Sequence, residues 1–73
     1  MPKYPETQAR ITRLLTEAGF RNDDGTFDKK RFREAVGISP HTINNYIEGK
    51  TCVSLERLKT YCEILSVNPS NIF

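Results

Sequence analysis

The segment Ser39-Pro40-His41-Thr42-Ile43-Asn44-Asn45-Tyr46 concentrates the hydrogen-bonding chemistry of this 73-residue chain and contains its single histidine. The adjacent carboxamides of Asn44 and Asn45 each pair an acceptor with donors, the combination that matches the major-groove edge of adenine. His41 and the methyl-bearing Thr42 suit guanine acceptors and thymine methyls. The plain alternative is two solvated amides on an exposed helix, but helix interiors do not favour Asn intrinsically, so two adjacent copies need a reason. Catalytic chemistry has no foothold. No Ser or Cys nucleophile and no second His is placed by a recognisable motif to work with His41, and no enzyme activity is expected. Cys52 and Cys62 lack the further Cys or His that a tetrahedral zinc site requires, so no metal or other cofactor is expected. Cys62 reads as a small buried helix residue and Cys52 as a loop thiol, with a disulfide as the lesser alternative.

The elements that must position these groups are written in the apolar spacing. Ile11, Leu14, Leu15 and Ala18 recur at i, i+3, i+4 and i+7, so residues 6–19 predict a helix opened by Pro5 and stopped by Gly19. Asp24-Gly25 between Phe20 and Phe27 predicts an ordered, hairpin-like loop anchored by the two rings. A second helix is expected from the N-cap Asp28 to Val36, with Phe32, Ala35 and Val36 inward, and Gly37 ends it. Ser39-Pro40 then opens a third helix almost at once, whose Ile43, Tyr46 and Ile47 form the inner stripe before Gly49. Ser54 opens a fourth, with Leu55, Leu58, Tyr61, Cys62 and Leu65 on one face. Asn68-Pro69 starts a last turn that folds Ile72 and Phe73 back as a lid.

Two short helices joined through a Gly-containing connection make a helix-turn-helix over about residues 28–48. Its core would be Phe32, Val36, Ile38, Ile43 and Tyr46, which leaves Pro40, His41, Thr42, Asn44 and Asn45 as an uncharged, hydrogen-bonding outer surface. Such a surface suits base edges. Phosphates would fall to Lys29 and Lys30 at the start of the second helix, Lys50 after the third, and Arg10 or Arg13. Ser39 and Thr51, at the two ends of the third helix, are further phosphate candidates, and the helix N-terminal amides add donors.

Size and composition set the outer limits. Seventy-three residues hold one domain over residues 1–73, without room for a separate catalytic or ligand-sensing module. The chain is 37% hydrophobic and 27% charged, the balance of a globular fold rather than a disordered tail. No apolar run approaches the length of a membrane span, and MPKYPETQAR lacks the apolar stretch of a secretory signal, so a cytoplasmic location is expected. The net charge of +2 favours an anionic partner only weakly.

Residues 27–73 resemble the Cro and repressor class of phage and bacterial regulators, a helix-turn-helix family. The likeness is carried by Gly37-Ile38-Ser39, Thr42-Ile43, Tyr46, Glu48-Gly49-Lys50 and Ser54-Leu55. It implies an all-α, four- to five-helix, lambda-repressor-like bundle, in which Pro40, His41, Asn44 and Asn45 face the groove and Lys29 and Lys50 meet the DNA backbone. The chain departs from the family pattern in five places, the first being Pro40, which removes a donor that some relatives use at the groove edge. Arg33 stands where a small residue is usual, Lys29 replaces an amide that elsewhere bridges to the third helix, Ile47 replaces an acidic residue, and the loop from Gly19 to Asp28 is long. The resemblance implies a bacterial or phage-encoded transcriptional regulator, a repressor by preference. It would act as a homodimer on double-stranded DNA, at a pseudo-palindromic operator with half-sites about 34 Å apart, and would need no small-molecule ligand. The alternative is a protein-interaction module on the same scaffold, an adaptor or antitoxin component, which the modest charge and the long loop favour.

Overall fold

The computed structural model describes residues 2–73. Four helices follow in order: α1 over Pro5–Glu17, α2 over Lys29–Val36, α3 over Pro40–Glu48 and α4 over Leu55–Leu65. A short 3-10 turn over Pro69–Asn71 completes the chain. The described residues form no strand, only an isolated antiparallel bridge between Arg21 and Phe27. That bridge closes the hairpin-like loop expected around Asp24-Gly25, with the Asp24 carboxylate accepting from both the backbone N–H (3.0 Å) and the hydroxyl (2.6 Å) of Thr26.

Each helix begins where a preset φ or a side-chain cap makes the first turn inexpensive. Pro5 and Pro40 occupy first-turn positions, where the missing N–H has no helical partner to lose. Asp28, Ser39 and Ser54 cap α2, α3 and α4, each accepting from the N–H three residues on.

One core cluster joins Ile11, Leu14, Leu15, Phe20, Phe32, Ile43, Tyr46, Val53, Leu58, Tyr61, Cys62 and Ile72. Phe32 is its hinge. Its ring meets Phe20 edge-on at 6.1 Å and Tyr61 edge-on at 5.9 Å between centroids, the geometry aromatic quadrupoles prefer. Phe27, Ala18, Val36, Ile38 and Ile47 pack partly buried around the rim.

Three inward expectations fail. Ala35 is exposed, because α2 is short and rests on the core mainly through Phe32 and Val36. Leu55 is 52% exposed: as the first residue of α4 it precedes the turn that touches the core, and Leu58, Tyr61 and Cys62 carry that face instead. At the C-terminus only Ile72 is buried; Phe73 stays 49% exposed with the Arg10 guanidinium over its ring at 5.7 Å. Cys62 is buried and Cys52 exposed, both as free thiols. Burial in this apolar setting pushes the Cys62 thiol pKa up.

One buried polar residue escaped the pattern. Thr7 faces inward from α1, and its hydroxyl accepts the Val53 N–H at 3.3 Å, tying α1 to the loop before α4.

Candidate nucleic-acid interface

The α2–α3 connection is fixed by local chemistry. Gly37 adopts a left-handed conformation (φ 75°, ψ 41°), from which its N–H and that of Ile38 both reach the Arg33 carbonyl, at 2.8 and 3.0 Å. A non-glycine residue incurs a steric penalty in that region. Ile38 then turns toward the core, and the Ser39 hydroxyl accepts the Thr42 N–H at 3.2 Å to start α3. The Ser39 and Thr42 hydroxyls also bond each other at 2.9 Å, so Ser39 is occupied as a cap.

The far end of α3 is anchored from outside the helix-turn-helix. Gln8 of α1 donates through Nε2 to the Ile47 carbonyl at 2.9 Å, and the Tyr4 N–H donates to the Gly49 carbonyl at 2.8 Å. Gly49 is left-handed as well (φ 70°) and lies against the chain before α1: a Cβ there would come within 2.5 Å of the Pro2 Cβ. Both ends of α3 are thereby pinned, and its orientation is a property of the core and of α1 together.

With Ile43 and Tyr46 buried, the outer face of α3 presents Pro40, His41 and Asn44, all exposed, flanked by half-buried Thr42 and Asn45. Lys29, the first residue of α2, reaches across to this face, and its Nζ donates to Asn44 Oδ1 at 3.2 Å. The amide bridge that Lys29 was expected to forgo is therefore replaced by an ammonium–amide bridge between the same two helices. Arg33 is half-buried beside the turn, so the close approach of α2 and α3 accommodates it without loss of the helix-turn-helix.

Glu48 enters the sequence reading only within the Glu48-Gly49-Lys50 likeness, with no site role. It lies on the outer side of α3, one turn beyond Asn44, and its carboxylate pairs with Lys50 Nζ at 3.1 Å. The i, i+4 relation to Asn44 carried the signal, but a glutamate at a helix end reads most simply as solvated surface. Lys3 was missed too: with Pro2, Glu48 and Lys50 it lines a shallow surface concavity at this end of α3.

The other basic residues divide by location. Lys30 is exposed and, among the described residues, pairs with no carboxylate, whereas Arg31 lies 3.9 Å from Asp28 and over the Phe20 ring at 5.5 Å. Arg10 and Arg13, candidates for phosphate by charge, are engaged elsewhere. Arg10 pairs with Glu6 and covers Phe73, while Arg13 donates to the Asn71 carbonyl at 3.1 Å and pairs with Glu17. Both serve the seam between α1 and the C-terminal turn. Thr51 is exposed in the loop after α3. Among the described residues, no three His, Cys, Asp or Glu side chains gather as a metal-binding group. No helix among the described residues is long and apolar enough to cross a membrane.

No curated protein and no solved structure matches the chain significantly. Residues 10–73 match the family model of the Cro/C1-type helix-turn-helix DNA-binding domain, a span that takes in most of α1 and everything after it. With a tight left-handed turn and a capped α3, the chain belongs to the Cro/C1-type helix-turn-helix DNA-binding family.

Proposed function

We propose that this protein is a sequence-specific transcriptional regulator, a repressor, that inserts α3 into the major groove and reads bases with Pro40, His41, Thr42, Asn44 and Asn45. The observation that carries this reading is the outer face of α3. Exposed His41 and Asn44 and half-buried Asn45 stand on a helix pinned at both ends, so their hydrogen-bonding atoms are presented in fixed register. Lys29, Lys30 and Lys50 flank that face and supply the sequence-independent attraction to phosphate.

One copy of so small a domain covers a single half-site. Useful affinity therefore calls for two copies on a pseudo-palindromic operator, with reading helices about 34 Å apart. A homodimer in the bacterial cytoplasm, controlled by its amount or by competition rather than by a small ligand, is the arrangement this reading favours.

The experiment is an anisotropy titration of the purified protein against duplexes from the flanks of its own gene, at two salt concentrations. Tight binding to one duplex that weakens steeply as salt rises is the expected result. Absence of binding to every duplex at low salt overturns the reading and leaves the protein-interaction module as the function of the scaffold.

A further inference from the structure

We infer that Lys29 sets the base preference of Asn44, by occupying one acceptor position of its amide oxygen with a cation so that the amide N–H groups are what meets the base. The inference rests on the proposed major-groove reading and specifies it at one side chain.

Lys29 Nζ lies 3.2 Å from Asn44 Oδ1. An ammonium group has three donors and no acceptor, so the Asn44 atom that faces it must be the oxygen, which leaves Nδ2 to point away. A free Asn offers an acceptor and a donor side by side and fits adenine, whose N6 donates and whose N7 accepts. The Asn44 oxygen keeps a second lone pair, but the ammonium beside it makes that side cationic and disfavours a further donor there, so Asn44 presents mainly its N–H groups to the base. Guanine then fits best, because N7 and O6 are both acceptors, while the adenine N6 amino group meets another donor.

The bond is exposed in the free protein and weak there, but docking against DNA would strip water from both partners and strengthen a charge-assisted contact. Two N–H groups of Lys29 remain for a phosphate oxygen. The bridge needs α2 and α3 at their observed approach, which Gly37 and the Ser39 cap fix, so Lys29 acts as a positioning residue through Asn44.

The test is selection from a randomised duplex pool with the full chain and with Lys29→Met and Lys29→Arg, followed by titration of guanine and adenine variants at the base pair that Asn44→Ala desensitises. The expected result is a guanine preference in the parent chain and in Lys29→Arg, which keeps a donor for Oδ1. Lys29→Met should shift the guanine-to-adenine ratio toward adenine by about tenfold, the size of one bidentate contact. Lys29 is an exposed first-turn residue, and unchanged thermal unfolding of Lys29→Met verifies that the shift is not a folding defect. If Lys29→Met lowers affinity for all duplexes equally, with a shallower salt slope and an unchanged base ratio, Lys29 is a phosphate contact alone and the inference is overturned. Failure of the parent chain to bind any duplex overturns the DNA reading, and this inference with it.

Discussion

Asn45 and Lys50 sit near the same end of α3, yet their chemistry makes them separable probes of the proposed interface. Asn45→Ala is expected to cost about 1 to 3 kcal/mol on the cognate duplex and to relax preference at one base pair, as measured by titration of single-base variants. Lys50→Ala should weaken every duplex to a similar degree and reduce the salt slope by about one contact. Identical behaviour of the two would show that the groove face is misassigned. Glu48 adds a prediction of opposite sign. Its carboxylate lies 3.1 Å from Lys50 Nζ and faces the same outer side, where it repels phosphate and draws the ammonium away from it. Glu48→Gln should tighten binding to all duplexes several-fold at low salt and lose that advantage at high salt, where screening shortens the range of both effects. The amide-rich face was legible from residue types alone. The pairing of Lys29 with Asn44 was not, because it depends on the distance between two helices rather than on spacing within either.

The helix ends show how one backbone conformation carries different costs in different surroundings. Gly37 and Gly49 are both left-handed, with φ of 75° and 70°. A Cβ on Gly37 would have no neighbour within 4 Å, so Gly37→Ala should cost only the backbone penalty of about 1 to 2 kcal/mol. A Cβ on Gly49 would sit 2.5 Å from the Pro2 Cβ and 3.2 Å from the Tyr4 carbonyl oxygen. Gly49→Ala must therefore also displace the segment before α1 and loosen the Tyr4–Gly49 hydrogen bond, and it should destabilise more than Gly37→Ala in urea unfolding. Equal losses would show that the packing of residues 2–4 on α3 contributes nothing to stability. The sequence marked both glycines as helix stops. It did not mark the N-terminal residues as the surface that closes over one of them, since nothing in Pro2, Lys3 or Tyr4 names α3 as a neighbour.

Across the whole molecule, stability depends on few residues because a chain of this size has one core cluster. Phe32 touches both Phe20 and Tyr61 and is fully buried, so Phe32→Ala should cost about 3 to 5 kcal/mol, a large part of the stability of a small domain. Its thermal transition should broaden or disappear. Tyr61 is expected to behave differently. Its hydroxyl is buried and accepts or donates no hydrogen bond among the described residues, although Tyr46 and Arg57 are near enough to act on it. Burial raises its pKa, with Tyr46 adding to the shift and Arg57 opposing it, so the group remains neutral at ordinary pH. The nearby Tyr61 and Tyr46 hydroxyls in turn hold Arg57 more firmly protonated. Since an unpartnered buried hydroxyl costs free energy, Tyr61→Phe should be neutral or stabilise by up to about 1 kcal/mol in the same unfolding assay, and a loss of stability would show that the hydroxyl is satisfied in solution.

The helix that begins at Ser39 was determined by the sequence itself: N-cap, first-turn proline, apolar stripe and terminal glycine are local signals that agree with one another. The four-helix order and the helix-turn-helix came from the same kind of signal, because caps and periodicity act over a few residues. Tertiary structure alone decided which outer residues are free and which are engaged. Lys29 bonds Asn44 across the two helices, and Arg10 and Arg13 serve the α1–C-terminal seam. Leu55 and Ala35 were left in solvent although their spacing suggested core. The physical reason is reach: a cap or a turn is written within four residues, whereas a side chain's partner across the fold depends on how the helices pack around Phe32 and on which polar groups that packing brings within hydrogen-bond distance.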